Sequence, residues 1–336
     1  MIHLLRANHA NEFELQNYAP IAKKLGINVI TSQHPLTPIS LPTVPLWSPT
    51  DLPHIFFRRQ ILNRLIGGEQ WLLGIEKLVK PGDIVHTAET YTPYTHQAVQ
   101  LRKSGIISKL ICTCWETIPH NNEKLARLRA WKKEAYQYVD LFHTPTARAK
   151  DALISEGVDQ AKVVVIPYGV DLTRFKPARL KTKNNKLVVL MVARPVYEKG
   201  VDIFRAVASE LADLADFRLV SNAKYSEMPS IYQTADFFFL PSRSTATWEE
   251  QYGMALVEAM ACGLPIITTS TGAIPEVVGS AGITYPVRDV NNMIKSIRAL
   301  IQNPDLCQKY SSHSLSRARR HYDSHKISAK LAALYR

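Results

Sequence analysis

Phe237-Phe-Phe-Leu240 is a four-residue apolar run closed by Pro241. It is too short for a helix and suits a buried parallel strand that runs into a loop. Gly253 then frees the backbone to turn, and residues 254–260 propagate as a helix. Residues 186–192, Lys-Leu-Val-Val-Leu-Met-Val, form a second strand-like run that also leads into a helix. Residues 2–5, 28–31, 83–87, 110–114 and 141–144 read as further short strands, separated by helical segments at 14–25, 60–80 and 123–139. Such alternation predicts a doubly wound α/β architecture. The proline-rich stretch 35–53 predicts an irregular connection. A domain boundary is expected near residues 167–186, where proline, glycine and a Lys-Thr-Lys-Asn-Asn-Lys run follow a strand.

Two carboxylates frame the turn at Gly253. Glu250 lies on the loop before it and Glu258 about one turn inside the helix. Taken alone, two glutamates at this spacing are ordinary solvated residues. Their surroundings argue otherwise for Glu258, because residues 256–262 are otherwise wholly apolar and a carboxylate there needs partners to offset its desolvation. A helix that begins beside the carboxyl end of a strand directs unpaired N–H groups into the crevice where such sheets bind ligands. A diphosphate suits those amides, and a carboxylate accepts hydrogen bonds from vicinal hydroxyls. Upstream, Arg194 leaves one strand end and Lys199 stands at the next helix entrance, a layout that lets two cations reach one anion.

These segments resemble the C-terminal domain of the retaining glycosyltransferases of family four, the GT-B group with an E-x7-E motif. Glu250 and Glu258 match that motif at full spacing. Arg194 with Lys199-Gly200 matches the G-R-(four residues)-K-G element, Ala193 replacing the usual glycine. Residues 165–177 resemble the interdomain IPNGVD signature, 231–236 the Y..AD helix, and 272–278 the GG.PEVV loop. The resemblance implies an α/β GT-B fold, two Rossmann-like domains facing a central cleft. Residues 1–165 would form the acceptor-side domain, 166–313 the nucleotide-sugar domain, shortened near 220–231, and 314–336 a helix crossing back to the first.

The implied activity is transfer of a hexose, with retention, from a UDP- or GDP-linked sugar to a cell-envelope glycan, glycolipid or other hydroxyl acceptor. Glu250, Arg194 and Lys199 would be catalytic; Glu258 and the amides of Gly253, Met254, Ala255 and Leu256 would bind donor. The nucleotide sugar is a co-substrate, and neither cofactor nor metal is implied. The alternative is a non-catalytic GT-B subunit that binds sugar nucleotide or stabilises a partner. Where the family often has His-Asp, this chain has Trp115-Glu116, followed by His120. Glu116 and His120 are therefore candidates for the acceptor or sugar side, with a packed Trp115 and a satisfied loop histidine as the plainer reading.

Composition narrows the partners. The chain of 336 residues carries a formal charge of +12, and the excess is spread over both halves. One concentration is residues 124–133, where Leu125, Leu128 and Trp131 recur between cations. This segment reads either as a membrane-surface helix near a lipid-linked acceptor or as a stripe packed on its own domain. Nucleic acid is not an expected partner, since no recognised module appears. There is no Gly-x-Gly, so a dinucleotide fingerprint is missing. No apolar segment approaches the roughly 20 residues that span a bilayer, and residues 1–6 are too short to act as a signal peptide. Cytoplasmic residence follows as the expectation, with peripheral contact at the inner membrane face if the basic stripe is exposed. The four cysteines lack C-x-x-C spacing and read as reduced packing residues.

Overall fold

A computed structural model describes residues 1–53, 56–178 and 186–336. Most of the Lys-Thr-Lys-Asn-Asn-Lys run expected at the domain boundary lies outside the described residues. The chain forms two compact units, Met1–Tyr168 with His325–Arg336, and Gly169–Ser324.

The first unit is built on a seven-stranded parallel sheet of β1 (Ile2–Ala7), β2 (Ile27–Thr31), β3 (Thr43–Pro45), β4 (Ile84–Ala88), β5 (Lys109–Thr113), β6 (Leu141–Thr144) and β7 (Val163–Val165). Its order is β3-β2-β1-β4-β5-β6-β7, which begins as the doubly wound dinucleotide-binding order does. The second unit holds β8 (Leu187–Val192), β9 (Ala215–Val220), β10 (Phe237–Leu240), β11 (Ile266–Thr269) and β12 (Gly282–Tyr285). They are arranged β12-β11-β10-β8-β9, with every pair parallel. The central strands of both sheets are buried on both faces, as their apolar runs require.

Several elements differ from the sequence expectation, each for a local reason. The helix expected over 14–25 is two, Glu12–Leu15 and Ala19–Leu25, because Glu14 turns inward and Pro20 opens the second helix. The segment 60–80 divides into Arg58–Ile66 and Ile75–Leu78. Gly67 ends the first in the left-handed region (φ 82°), and a Cβ there would lie 2.4 Å from the Trp131 ring. Within 35–53, Thr43–Pro45 pairs with β2 as an edge strand, a position that tolerates Pro45. At the other end, Pro304–His321 is one continuous helix, and Ser314 is buried in its middle. Residues 314–324 therefore count with the second unit, and only His325–Arg336 returns to the first. Among the described residues no helix is long and apolar enough to cross a membrane. The cysteines are thiols rather than disulfides, with Cys112, Cys114 and Cys262 buried.

Charge is buried at the centre of the first unit. Arg6, on β1, donates through Nε and Nη2 to Glu14 Oε1 at 2.9 and 2.8 Å, and through Nη1 to the carbonyls of Leu5 and His86. Tyr168 OH donates to the same glutamate oxygen at 3.1 Å and meets Tyr18 OH at 2.8 Å. Beside this pair runs a chain of polar groups. His143 Nε2 donates to the Ile166 carbonyl, which makes Nδ1 the acceptor for Thr113 Oγ1; Thr113 in turn accepts from His86 Nε2, and His86 Nδ1 accepts from Tyr335 OH. One orientation of every proton satisfies all four bonds, and it ties Tyr335 of the returning tail to β4, β5 and β6.

Removing one member of the buried pair leaves the other without compensation, which costs about 3–5 kcal/mol. Arg6→Ala and Glu14→Ala are each expected to lose that much in urea denaturation. The double variant Arg6→Met with Glu14→Leu should recover most of the loss. Additive losses in the double variant would show that the two side chains do not act as a pair.

Candidate functional site

In the second unit the chain passes from β8 to β9 on one side and then to β10 on the other. The carboxyl ends of β8 and β10 therefore flank a topological switch point, where open parallel sheets form a crevice. Arg194 lies on the loop that leaves β8, and Lys199 ends the turn Tyr197–Lys199. Ser242 and Glu250 follow β10. Gly200 stands where these loops meet, at φ 71°. A Cβ at Gly200 would sit 1.9 Å from the Pro241 carbonyl oxygen, so only glycine permits the approach.

The approach brings Lys199 Nζ to 2.7 Å from Glu250 Oε2. Ser242 Oγ donates to the same oxygen at 3.1 Å, and the Lys199 ammonium lies 4.9 Å from the centre of the Trp248 ring. Glu250 is buried. Its carbonyl accepts from Ala273 N at 2.8 Å, and a Cβ on Gly272 would lie 2.2 Å from that carbonyl oxygen. Thr269 and Thr271, at the end of β11, both donate to the Ser242 carbonyl. Three strand ends thus fix one lysine–glutamate pair.

The other expected residues are placed differently. Arg194 is exposed and makes no ion pair among the described residues. Gly253, at φ 83°, caps the helix Met254–Ala261 without any side chain bonded to its first turn, and Met254 and Ala255 are only half-buried there. That turn presents the positive end of the helix. Glu258 is buried on the inner face of the helix, where Tyr232 OH donates to its Oε2 at 2.6 Å. Burial pushes its carboxyl up to about 7, against hydrogen bonds from Tyr232 and Tyr225 and the charge of Arg174. The structure brings Lys199 and Glu250 together. Neither Arg194 nor Glu258 shares a hydrogen bond or ion pair with them among the described residues.

Glu116 and His120 belong to the first unit. Glu116 accepts from the Thr117 and Ile118 amides and from the side chains of Asn121 and Asn122, so it organises its own loop. His120 is exposed, its ring 3.4 Å from Glu123. His120, Glu123 and Glu156 bring three donor atoms within 4.8 Å. The buried Lys132 ammonium already lies between the two carboxylates, 2.9 Å from Glu123 and 2.8 Å from Glu156. The stripe expected along 124–133 is divided: Trp131 is buried and stacked on His96 at 4.6 Å, while Leu125 remains exposed.

Sequence reading missed Glu89. It follows β4, at the switch point of the first sheet between β1 and β4, and holds a left-handed backbone (φ 62°) rare for a glutamate. Its Oε1 accepts from Trp115 N at 2.8 Å. Burial, with the nearby Glu116 charge adding, pushes its carboxyl up to about 8. Glu89, Glu116, Tyr91, Lys132 and Glu156 line a void of about 10 Å³, close to the room one water needs. A glutamate inside His-Thr-Ala-Glu-Thr carries no local signal; only the strand order singles it out.

The profile of the group 1 glycosyl transferases matches residues 205–317, and that of glycosyltransferase family 4 matches residues 26–174. The chain belongs to the group 1, family 4 glycosyltransferases. A phosphatidylinositol N-acetylglucosaminyltransferase subunit of Arabidopsis thaliana is 26% identical, over 45% of this chain and 39% of that protein. The MMP alpha-(1->4)-mannosyltransferase of Mycolicibacterium hassiacum is 24% identical, over 70% and 67%. The chain spans about half the length of the curated relatives that it matches, from 39% to 67%. Among solved structures, Anabaena HepE in complex with UDP superposes with a TM-score of 0.73 at 15% identity, covering 99% of this chain and 98% of that one. At that identity the likeness concerns the fold, which is GT-B with two α/β units.

Glu258 supplies a test that needs no substrate. The unfolded carboxyl releases its proton near 4.5 and the folded one near 7. Stability is therefore lost as pH rises from about 4.5 to about 7 and is level above. Urea denaturation of the native protein should lose on the order of 3 kcal/mol more across that window than Glu258→Gln, which cannot ionise. Identical pH profiles would mean that Glu258 is not a buried, proton-holding group.

Proposed function

We propose that this family member moves a hexose from a UDP- or GDP-linked sugar to a hydroxyl of a cell-envelope glycan or glycolipid, retaining anomeric configuration and using no metal or other cofactor. The observation that carries the reading is the Lys199–Glu250 pair at a switch-point crevice, beside a helix start with no side-chain cap. HepE, which has the same fold, binds UDP. Retention rests on the family resemblance.

In this reaction the bond from the anomeric carbon to the diphosphate oxygen breaks, and its electron pair leaves with the diphosphate. Lys199, Arg194 and the amides of Gly253 to Leu256 stabilise the charge that develops there. The acceptor hydroxyl attacks from the same face, and its proton passes to the departing phosphate oxygen. Glu250 accepts from hydroxyls of the donor sugar while holding Lys199 in place. Glu258 takes the ribose side.

Sugar nucleotides of the UDP and GDP series are expected to raise the melting temperature; a ligand at 100 times its Kd adds about 2.7 kcal/mol. Glu250→Ala should abolish transfer in a chain that still folds, at a lowered melting temperature because Lys199 loses its partner, and Lys199→Ala should lower kcat by about 10²–10³-fold. Native turnover by Glu250→Ala refutes the assignment. Donor binding by the native protein with neither hydrolysis nor transfer identifies a non-catalytic subunit instead.

A further inference from the structure

The second sheet ends at β9 with an open edge. After Val220 the chain runs to the helix Met228–Gln233 and on to β10, on the far side of β8, so among the described residues no strand lies beyond β9. The Val220 carbonyl accepts from Ala193 N at 3.1 Å, which turns the main chain of Val220 toward β8. Strand alternation turns Asp216 and Arg218 the same way and leaves the N–H and C=O of Phe217 and Leu219 facing outward. Such a row of unpaired main-chain groups is a template for another strand.

The side chains along this edge match themselves in reverse. Asp216 and Arg218 stand on one face, 52% and 46% exposed, with their charged groups 3.5 Å apart. On the other face Phe217 lies edge-on to Phe204 of the helix Val201–Glu210, at 5.6 Å. A second β9 running antiparallel and centred on Phe217 places each Asp216 opposite an Arg218, in the non-hydrogen-bonded pairs where side chains come closest. A shift of two residues one way opposes Asp216 to Asp216, and the other way Arg218 to Arg218. Charge therefore selects one register, and the edge is complementary to its own two-fold copy. An unlike strand would have to supply the reverse of this pattern; a second copy supplies it by symmetry.

We propose that β9 pairs antiparallel with β9 of a second copy across a two-fold axis, joining two five-stranded sheets into one. Phe217 exchanges both of its main-chain bonds with its counterpart, and Leu219 N–H donates to the Ala215 carbonyl. The two Phe217 rings meet on one face while Asp216 and Arg218 pair across the other. The net charge of +12 opposes association only at long range, which 0.1 M salt screens beyond about 10 Å. The contact uses neither Lys199 nor Glu250.

Sedimentation equilibrium of the full chain, without donor or acceptor, should show a monomer–dimer equilibrium, with the Phe217 and Leu219 amides protected from hydrogen exchange in the dimer. Asp216→Arg and Arg218→Asp each put like charges in every pair, and each should weaken self-association at least about tenfold in a chain with native circular dichroism. Mixed in equal amounts, the two variants restore opposite charges in every pair and should form a heterodimer. The proposal is overturned if the native chain stays monomeric up to about 0.1 mM, if either variant alone dimerises as tightly as the native chain, or if the mixture stays monomeric. A dimer whose Phe217 and Leu219 amides exchange as fast as in the monomer also overturns it and places the contact elsewhere. None of these outcomes bears on sugar-nucleotide binding, which the thermal shift reports separately.

Discussion

Two contacts that only glycine allows hold the second unit's crevice in shape. Gly200 meets the Pro241 carbonyl, and Gly272 meets the carbonyl of Glu250. Both residues have positive φ, and at both a Cβ would lie closer than van der Waals contact permits. The loops after β8, β10 and β11 are thereby locked to one another through backbone, and the lysine–glutamate pair inherits that rigidity. A charged pair on three independent loops would lose side-chain entropy to hold one geometry. Here the backbone has already met most of that cost before any ligand arrives.

The two units bury polar groups in different ways. In the first, Arg6 and Glu14 compensate each other, and the histidine chain beside them has one satisfied proton arrangement. Such a network confers specificity more than stability, since an apolar replacement of both partners serves nearly as well. In the second unit Glu258 is held by tyrosine hydroxyls, those of Tyr232 and Tyr225, with the charge of Arg174 acting on it more weakly. A buried carboxyl held by neutral donors keeps its proton to higher pH, so the group is poised to change charge when its surroundings change.

The sequence made the strands legible where they were apolar and ended at glycine or proline, as at β8 and β10, because burial on both faces leaves no polar positions to blur the run. It also made Lys199, Glu250 and Gly253 legible, since their spacing recurs in a motif. The buried face of Glu258 could be read from the apolar residues around it. Breaks at Gln16–Tyr18 and Gly67–Gly68 could not, because each answers to a distant partner: Arg6 for Glu14, the Trp131 ring for Gly67. The segment 124–133 defeated periodicity for a similar reason. Trp131 packs on His96 and Lys132 is drawn inward by Glu123 and Glu156, so neighbouring residues serve opposite environments.

Glu89 and Glu250 stand at equivalent places in two sheets whose strand orders differ. Each follows a strand beside a switch point and each carboxylate is bound from a neighbouring loop, although only Glu250 is marked by a motif in the sequence. What distinguishes them is the charge that surrounds them. Glu250 faces a lysine ammonium, whereas Glu89 is desolvated beside Glu116, which pushes its carboxyl up to about 8, so that it is suited to hold a proton and donate one. A carboxylate accepts hydrogen bonds from a hydroxyl, whereas a carboxyl that keeps its proton can donate one. That difference arises from tertiary placement, so a residue type that reads the same at both positions in the sequence acquires two chemistries in the fold.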